Sequence, residues 1–310
     1  MIVAIIGGTG FIGGYLVDLL VNDSRVEQIR LLSRGGEETT SKKVEIFNGN
    51  VFDKASLKGL LVEGAIVVNL AYLAEEEQSK NLELIHNVVQ VCRECKIKKF
   101  IHVSTAVVAG RAKVSLVTEE TVATPFSEYD KTKLLVEGVV LRDAVDFEVV
   151  ILRPTAVFGP GGKNLVSLVT NLYSGSSVRN YLKSCLYGKR TMNLVSVENV
   201  VSALHFLVFA NKDLDRRIFI VSEDAAPNNN YIGVEKIVQR VLGVSDYPIP
   251  RVLLPDFFLQ IILILVGKSN VDANRRYSSE NLESLGWVRS QDFENKVEQF
   301  AEWQKKGLDN

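Results

Sequence analysis

The chain has few of the residues that build metal centres and disulfide scaffolds: three cysteines, Cys92, Cys95 and Cys185, and three histidines, His86, His102 and His205, among 310 residues. So few thiols cannot form a disulfide framework or complete a four-ligand zinc site, and the histidines are too dispersed for metal-ligand spacing. Cys92 and Cys95 form a C-x-x-C pair, but late in a helical pattern rather than at a helix start after a strand, which reads as inert helix cysteines. An excess of one charge is also missing. The formal net charge is -1, and the scattered Lys and Arg make no basic stripe of the kind that grips nucleic acid or an anionic membrane, so neither partner is expected. No apolar run reaches the roughly 20 residues of a membrane span. The most apolar late stretch, Phe257 to Val266, is expected to cover a core or a partner surface. The start has no basic, apolar, then small-residue signal; export is not expected, and the cytoplasm is the expected compartment.

What is present begins at once. The apolar run Ile2-Val3-Ala4-Ile5-Ile6 leads into Gly7-Gly8-Thr9-Gly10-Phe11-Ile12-Gly13, which opens a helix-like stretch to Val21. Strand, glycine turn and helix in that order cradle a pyrophosphate. Glycines let the backbone turn tightly and approach the ligand, while unpaired amides and the positive dipole end of the helix face its charge. A glycine pattern alone is a weak signal, and the flanking strand and helix are what make it specific.

Through the first half, strand-like runs at 28–33, 44–47, 65–70, 100–104 and 149–152 alternate with helical patterns at 55–61, 81–95 and 128–142. This rhythm predicts an α/β fold, a Rossmann-like doubly wound parallel sheet with the cofactor across its carboxyl edge. Beyond Gly159-Pro160-Gly161-Gly162 the rhythm loosens into a polar, Ser- and Asn-rich segment reaching about Arg190. Residues 195–209 and 218–221 read as a returning helix and strand. The expected organisation is therefore a dinucleotide-binding portion at 1–160, rejoined by 191–224, and an interleaved substrate-binding portion at 161–190 and 225–310.

A second feature carries chemistry. Tyr129 and Lys133, four apart in a helical stretch, are neighbours on one face. A nearby ammonium stabilises a phenolate and is expected to bring the phenol from about 10 towards neutrality; a shift of three units needs roughly 4 kcal/mol. The positive nicotinamide of an oxidised cofactor would add to the same field. Thr105, at the end of the run Val103-Ser104-Thr105, is placed to meet Tyr129, because strand ends point towards the cofactor.

Together these residues resemble the extended short-chain dehydrogenase/reductase family, the NAD(P)-dependent epimerase/dehydratase group, over nearly the whole chain. The motifs are Gly7 to Gly13, Val68-Asn69-Leu70-Ala71, Asn81, Val103-Ser104-Thr105, the Tyr129/Lys133 pair, Leu152-Arg153-Pro154-Thr155-Ala156-Val157-Phe158-Gly159-Pro160-Gly161, residues 193–200, and Leu285-Gly286-Trp287. The resemblance implies hydride transfer at an alcohol or ketone carbon. It makes Tyr129 the acid/base, Lys133 the ribose ligand and pKa depressor, and Thr105 the hydroxyl partner. It implies cofactor contacts at Gly7, Gly10, Phe11, Ile12, Gly13, Ser33, Arg34, Asn50, Val51, Leu70 and Ala71, and a homodimer through the two long helices 81–95 and 128–142.

Leu32-Ser33-Arg34 lacks the carboxylate that would grip the ribose hydroxyls of NAD and carries an arginine instead, so NADP is preferred over NAD. The family usually has Asp where this chain has Asn50, whose amide oxygen can still accept from the adenine amino group. Ala106-Val107 replaces the Asp-Glu pair that resembling dehydratases use for water elimination, so dehydration is disfavoured. Ala156 stands where many nucleotide-sugar members carry Asn. The expected activity is that of a nucleotide-sugar epimerase-type enzyme. The alternatives are an NADP-dependent reductase or hydroxy-dehydrogenase for a steroid- or flavonoid-like substrate, and a non-catalytic nucleotide sensor or assembly subunit, the last disfavoured by the retained Thr105, Tyr129 and Lys133.

Overall fold

In the computed structural model the described residues are 1–35, 39, 41–289 and 292–309. The first elements are β1 (Ile2–Ile6), α1 (Phe11–Val21), β2 (Gln28–Ser33), β3 (Val44–Asn48), α2 (Lys54–Leu60), β4 (Ile66–Asn69), α3 (Gln78–Glu94) and β5 (Lys99–Val103). They are followed by β6 (Leu116–Val117), α4 (Glu128–Asp143), β7 (Glu148–Pro154), β8 (Ala156–Phe158), α5 (Val166–Ser174), α6 (Ser177–Tyr187), β9 (Leu194–Ser196) and α7 (Val197–Phe209). The last are β10 (Arg217–Val221), α8 (Tyr231–Leu242), α9 (Asp256–Leu265), β11 (Arg276–Tyr277), α10 (Glu280–Ser284) and α11 (Phe293–Asp309).

Seven strands form one sheet in the order β10-β7-β5-β4-β1-β2-β3. The pairs β1 with β2, β1 with β4, β2 with β3, β4 with β5, and β5 with β7 are parallel. A parallel sheet covered on both faces needs apolar side chains at nearly every position, and β4 and β5 are buried throughout. Strand order reverses at β1, which lies between β2 and β4, and ligands of such sheets bind at the carboxyl ends where this reversal opens a crevice. One face is closed by α3 and α4, whose Leu84, Ile85, Val88, Val136 and Val140 belong to a core with Phe100 and Ile151.

The chain divides into two compact units. The first comprises 1–108, 128–153 and 201–219; the second comprises 109–127, 154–200 and 220–310. In the second, the parallel pair β8 and β9 shares a core with α5, α8 and α11 built on Phe158, Leu172, Val238, Val297 and Phe300. Its sequence motif at 193–200 has a structural role: Asn193 Nδ2 donates to Asp224 and to the Arg275 carbonyl, and the Ser196 amide to Glu223.

Two stretches take a form that the sequence rhythm left open. The Ser- and Asn-rich segment after Gly162 forms α5 and α6: α5 buries Val169 and Leu172 and ends at Gly175, and the Ser176 side chain caps α6 by accepting from the Arg179 amide. The apolar run at 257–266 forms α9 but covers little core. Only Leu259 and Leu263 are buried on it.

A charged pair lies under the helix that carries Tyr129 and Lys133. Arg153 Nε donates to Glu137 Oε1 at 2.9 Å and its Nη2 to Oε2 at 2.5 Å, with both residues buried. Removing one partner leaves the other charge buried and uncompensated. Arg153→Met is expected to lower the unfolding free energy by about 3–5 kcal/mol in urea titrations. Adding Glu137→Met should recover most of that loss; an equal loss in single and double variants would show that the pair is not coupled.

Candidate active site

The glycine loop adopts the geometry a close backbone approach demands. Gly7 has φ +83°, and a Cβ there would lie 3.0 Å from the Ala71 amide nitrogen. At Gly13 a Cβ would lie 2.4 Å from the Gly7 carbonyl oxygen, so α1 rests on the loop only because that side chain is missing. The start of α1 has no acidic residue and no side-chain cap, which leaves its positive end available to an anion.

Beside this loop is a cavity of about 620 Å³ in the first unit. It brings together Gly7, Gly10, Ser33, Arg34, Asn50, Val51, Leu70 and Ala71 of the sequence-expected cofactor residues. Phe11, Ile12 and Gly13 lie outside its lining, in the first turn of α1. Arg34 and Glu76 are the charged residues of the lining. Asn50 Oδ1 already accepts from the Phe52 amide at 3.0 Å, which fixes the side chain and leaves its second lone pair open. Size, glycine cradle and helix start together fit a dinucleotide.

The wall formed by residues 69–73 is held from behind. Asn69 Oδ1 accepts from the Ala71 amide, and Asn69 Nδ2 lies 3.1 Å from His102 Nδ1. The amide is the donor in that contact, so the neutral ring carries its proton on Nε2. Burial and the nearby Lys133 charge lower the His102 pKa to about 3, keeping the ring neutral. Asn81 clamps the other end, accepting from the Leu73 amide and donating to the Leu73 carbonyl, each at 3.0 Å.

On α4, Tyr129, Lys133 and Glu137 recur every fourth residue along one face. Lys133 is buried; its Nζ donates to the Val103 carbonyl at 3.4 Å and lies 4.3 Å from the centroid of the Tyr72 ring. Tyr72 packs edge-on against Tyr129 at 5.2 Å and also lines the cavity. Thr105 Oγ1 accepts from the Val107 amide at 3.3 Å, and its side chain hydrogen-bonds Tyr129. Thr105, Tyr129 and Lys133 therefore converge, joined to the cavity wall by Tyr72.

The electrostatics differ from the sequence expectation. Desolvation and the Tyr72 phenol push Tyr129 up to about 12, opposed by the Thr105 hydrogen bond. Burial brings Lys133 down to about 8, opposed by Glu137. In the chain alone the phenol is thus not lowered towards neutrality; the ammonium is engaged by Val103 and Tyr72, and loss of water dominates at both groups. Sequence reasoning also missed Tyr72 and Glu76 on the cavity wall. Tyr72 directly follows the Leu70-Ala71 motif, but no spacing rule marks an aromatic there.

Three comparisons bear on this arrangement. The family model of NAD dependent epimerases/dehydratases matches residues 3–221. Among curated proteins, the chain is 26% identical over 286 residues to the mouse "Sterol-4-alpha-carboxylate 3-dehydrogenase, decarboxylating", covering 85% of this chain and 74% of that protein. It is 27% identical over 183 residues to a Bacillus subtilis protein described as an uncharacterized UDP-glucose epimerase, covering 52% of this chain and 58% of that one. Among solved structures, dTDP-glucose 4,6-dehydratase from Bacillus anthracis in complex with NAD superposes with TM-score 0.75 at 17% identity, over 100% of this chain and 98% of that one. A UDP-glucose 4-epimerase superposes with TM-score 0.72 at 22% identity, over 100% and 99%.

The buried ammonium has a consequence for stability. Lys133 lies at about 8 in the fold against 10.5 for the free group, so between those values the unfolded chain binds more protons, and stability rises with pH across that window. Below it the charge costs about 3 kcal/mol. Lys133→Met is expected to stabilise the ligand-free protein at pH 7 by about 2–3 kcal/mol and to flatten the pH 8 to 10.5 slope, as read by urea unfolding across pH. An unchanged slope would refute this assignment.

Proposed function

This chain belongs to the NAD dependent epimerase/dehydratase family, and from that premise we propose that Thr105, Tyr129 and Lys133 carry its chemistry. The observation that carries the reading is the convergence of phenol, hydroxyl and ammonium around Tyr72, which itself lines the cavity beside the glycine loop while Thr105, Tyr129 and Lys133 lie behind it. When bound, the cofactor supplies a nicotinamide carbon that exchanges hydride with the substrate carbon. Tyr129 would move the proton on the attached oxygen, Thr105 would hydrogen-bond that oxygen, and Lys133 would hold the ribose, its stabilisation of the phenolate depending on the bound cofactor, since in the chain alone Val103 and Tyr72 engage the ammonium. Gly7, Gly10 and Gly13, with the first-turn residues Phe11 and Ile12, hold the pyrophosphate. Asn50 and Val51 face the adenine, Ser33 and Arg34 its ribose, and Leu70 and Ala71 form the opposite wall.

We assign the first unit to the cofactor and the second to substrate selection. The substrate class is a nucleotide sugar, worked on as an epimerase does, by a homodimer joined through α3 and α4 in the cytoplasm. A second reading, a hydroxy-dehydrogenase for a steroid-like alcohol, is favoured by Ala156 and by the long match to the mouse sterol enzyme. Ala106-Val107 argues against dehydration in either case.

Tyr129→Phe is expected to lower turnover on an identified substrate by about 10² to 10⁴ with cofactor binding retained; undiminished turnover would remove the assigned chemistry. Extraction of the purified protein separates the two substrate readings. An epimerase retains its dinucleotide through each cycle, whereas a dehydrogenase must exchange it. We further propose that Arg34 selects NADP, so Arg34→Ala should weaken NADP binding about tenfold in calorimetry with NAD little changed. Equal loss for both dinucleotides, or NAD alone in the extract, would overturn that preference.

A further inference from the structure

The least expected surface of the second unit is α9 with the segment before it. Leu259 and Leu263 anchor the helix against Ala273, with Leu186, Tyr187 and Val271 at the edge of the cluster. The other apolar side chains face solvent: Phe257, Phe258, Ile261, Ile262, Ile264 and Leu265, the last 79% exposed. Upstream, Val252, Leu253 and Leu254 are exposed as well. That segment is tied to α6 by the Leu254 amide on the Cys185 carbonyl and by the Tyr181 hydroxyl on the Pro250 carbonyl, and α6 adds exposed Val178 and Leu182.

The form and the charge of this face point to its occupant. At 100° per residue, the outward apolar residues from Phe257 to Val266 sweep about 200° of the helix circumference, whereas a helix packed on a protein surface needs an apolar stripe of about 100°. A rigid partner covers one stripe; a hydrocarbon phase wraps the whole arc. The run is too short to span a bilayer and of the length of an interfacial segment. The same two segments, 177–190 and 252–268, carry Arg179, Lys183, Lys189 and Lys268 against one carboxylate, Asp256, while Arg190 is half-buried and donates to the Asn270 carbonyl. Cations beside an apolar helix match anionic headgroups.

We propose that α9 and residues 252–254 dock the protein on the surface of an anionic lipid bilayer, with α9 lying in the interface and crossing no membrane. Docking of this kind does not depend on which alcohol is the substrate, and its test reads binding rather than turnover. In flotation assays the full chain should rise with vesicles of one part phosphatidylglycerol to two parts phosphatidylcholine, and less with phosphatidylcholine alone. Ile261→Glu with Leu265→Glu should lower the bound fraction about tenfold or more. Lys183→Glu with Lys268→Glu should remove only the preference for phosphatidylglycerol. All these side chains lie outside the dinucleotide cavity, so dinucleotide binding should be unchanged; Phe257→Ser with Phe258→Ser gives the same readout should the glutamates disturb folding. Wild-type protein that floats with neither vesicle, or glutamate variants that float as well as wild type, would overturn the proposal. Failure to float, together with a dimer that the glutamates dissociate in sedimentation velocity, would assign the face to a second copy of the chain instead.

Discussion

An ammonium buried at the carboxyl edge of a parallel sheet is the constraint around which the first unit is organised. Lys133 cannot be accommodated without compensation, because burial favours its neutral form. The compensation runs down α4 and into β7: Glu137 lies one turn below, and Arg153 grips Glu137 through two hydrogen bonds. Charges therefore alternate along a buried line, with the Val103 carbonyl and the Tyr72 ring taking up the lysine at its upper end. Each group is tolerable only because of the next, which gives the arginine of the Leu-Arg-Pro motif a physical role although it touches neither Tyr129 nor the cavity wall.

The same charge shapes the wall of the dinucleotide cavity. His102 stays neutral because it is buried and faces Lys133, and a neutral ring with a bare Nδ1 is what Asn69 needs as an acceptor. Asn69 in turn fixes the Ala71 amide, and Ala71 is the residue that a side chain at Gly7 would strike. Asn81 closes the segment at Leu73. The cavity wall is thus held by the hydrogen bonds of Asn69 and Asn81, and breaking either set leaves polar groups unpaired away from water.

Much of this was legible in the sequence, for reasons that are local. Unbroken apolar runs announce strands buried on both faces; a glycine turn between strand and helix announces its own backbone geometry; four-residue spacing places Tyr129 beside Lys133 whatever surrounds them. The direction of the Tyr129 shift was not legible, since desolvation is a property of what packs around the phenol and not of its helix neighbour. Tyr72 escaped because aromatic residues after a strand are common in cores. For α9 the sequence left a core and a partner surface both open, and only the neighbouring elements reveal that two of its side chains suffice to anchor it. The Ser- and Asn-rich segment gave no clear periodicity because side chains that favour turns also start helices, as Ser176 does for α6.

The residues after Thr105 set a limit on the chemistry. The resemblance places the second acid/base group of dehydratases directly after Thr105, where this chain has the turn Ala106–Ala109 with Ala106 and Val108 buried, and on the proposed reading that turn supplies no such group. In the proposed roles, the Tyr129 phenol hydrogen-bonded to Thr105 supports reversible interconversion of an alcohol and a ketone. Epimerisation adds no further proton handler to that step, only a turn of the bound ketone before hydride returns. The two proposed substrate readings therefore make the same demand on Thr105, Tyr129 and Lys133, and part company in how firmly a dinucleotide would be retained through each cycle.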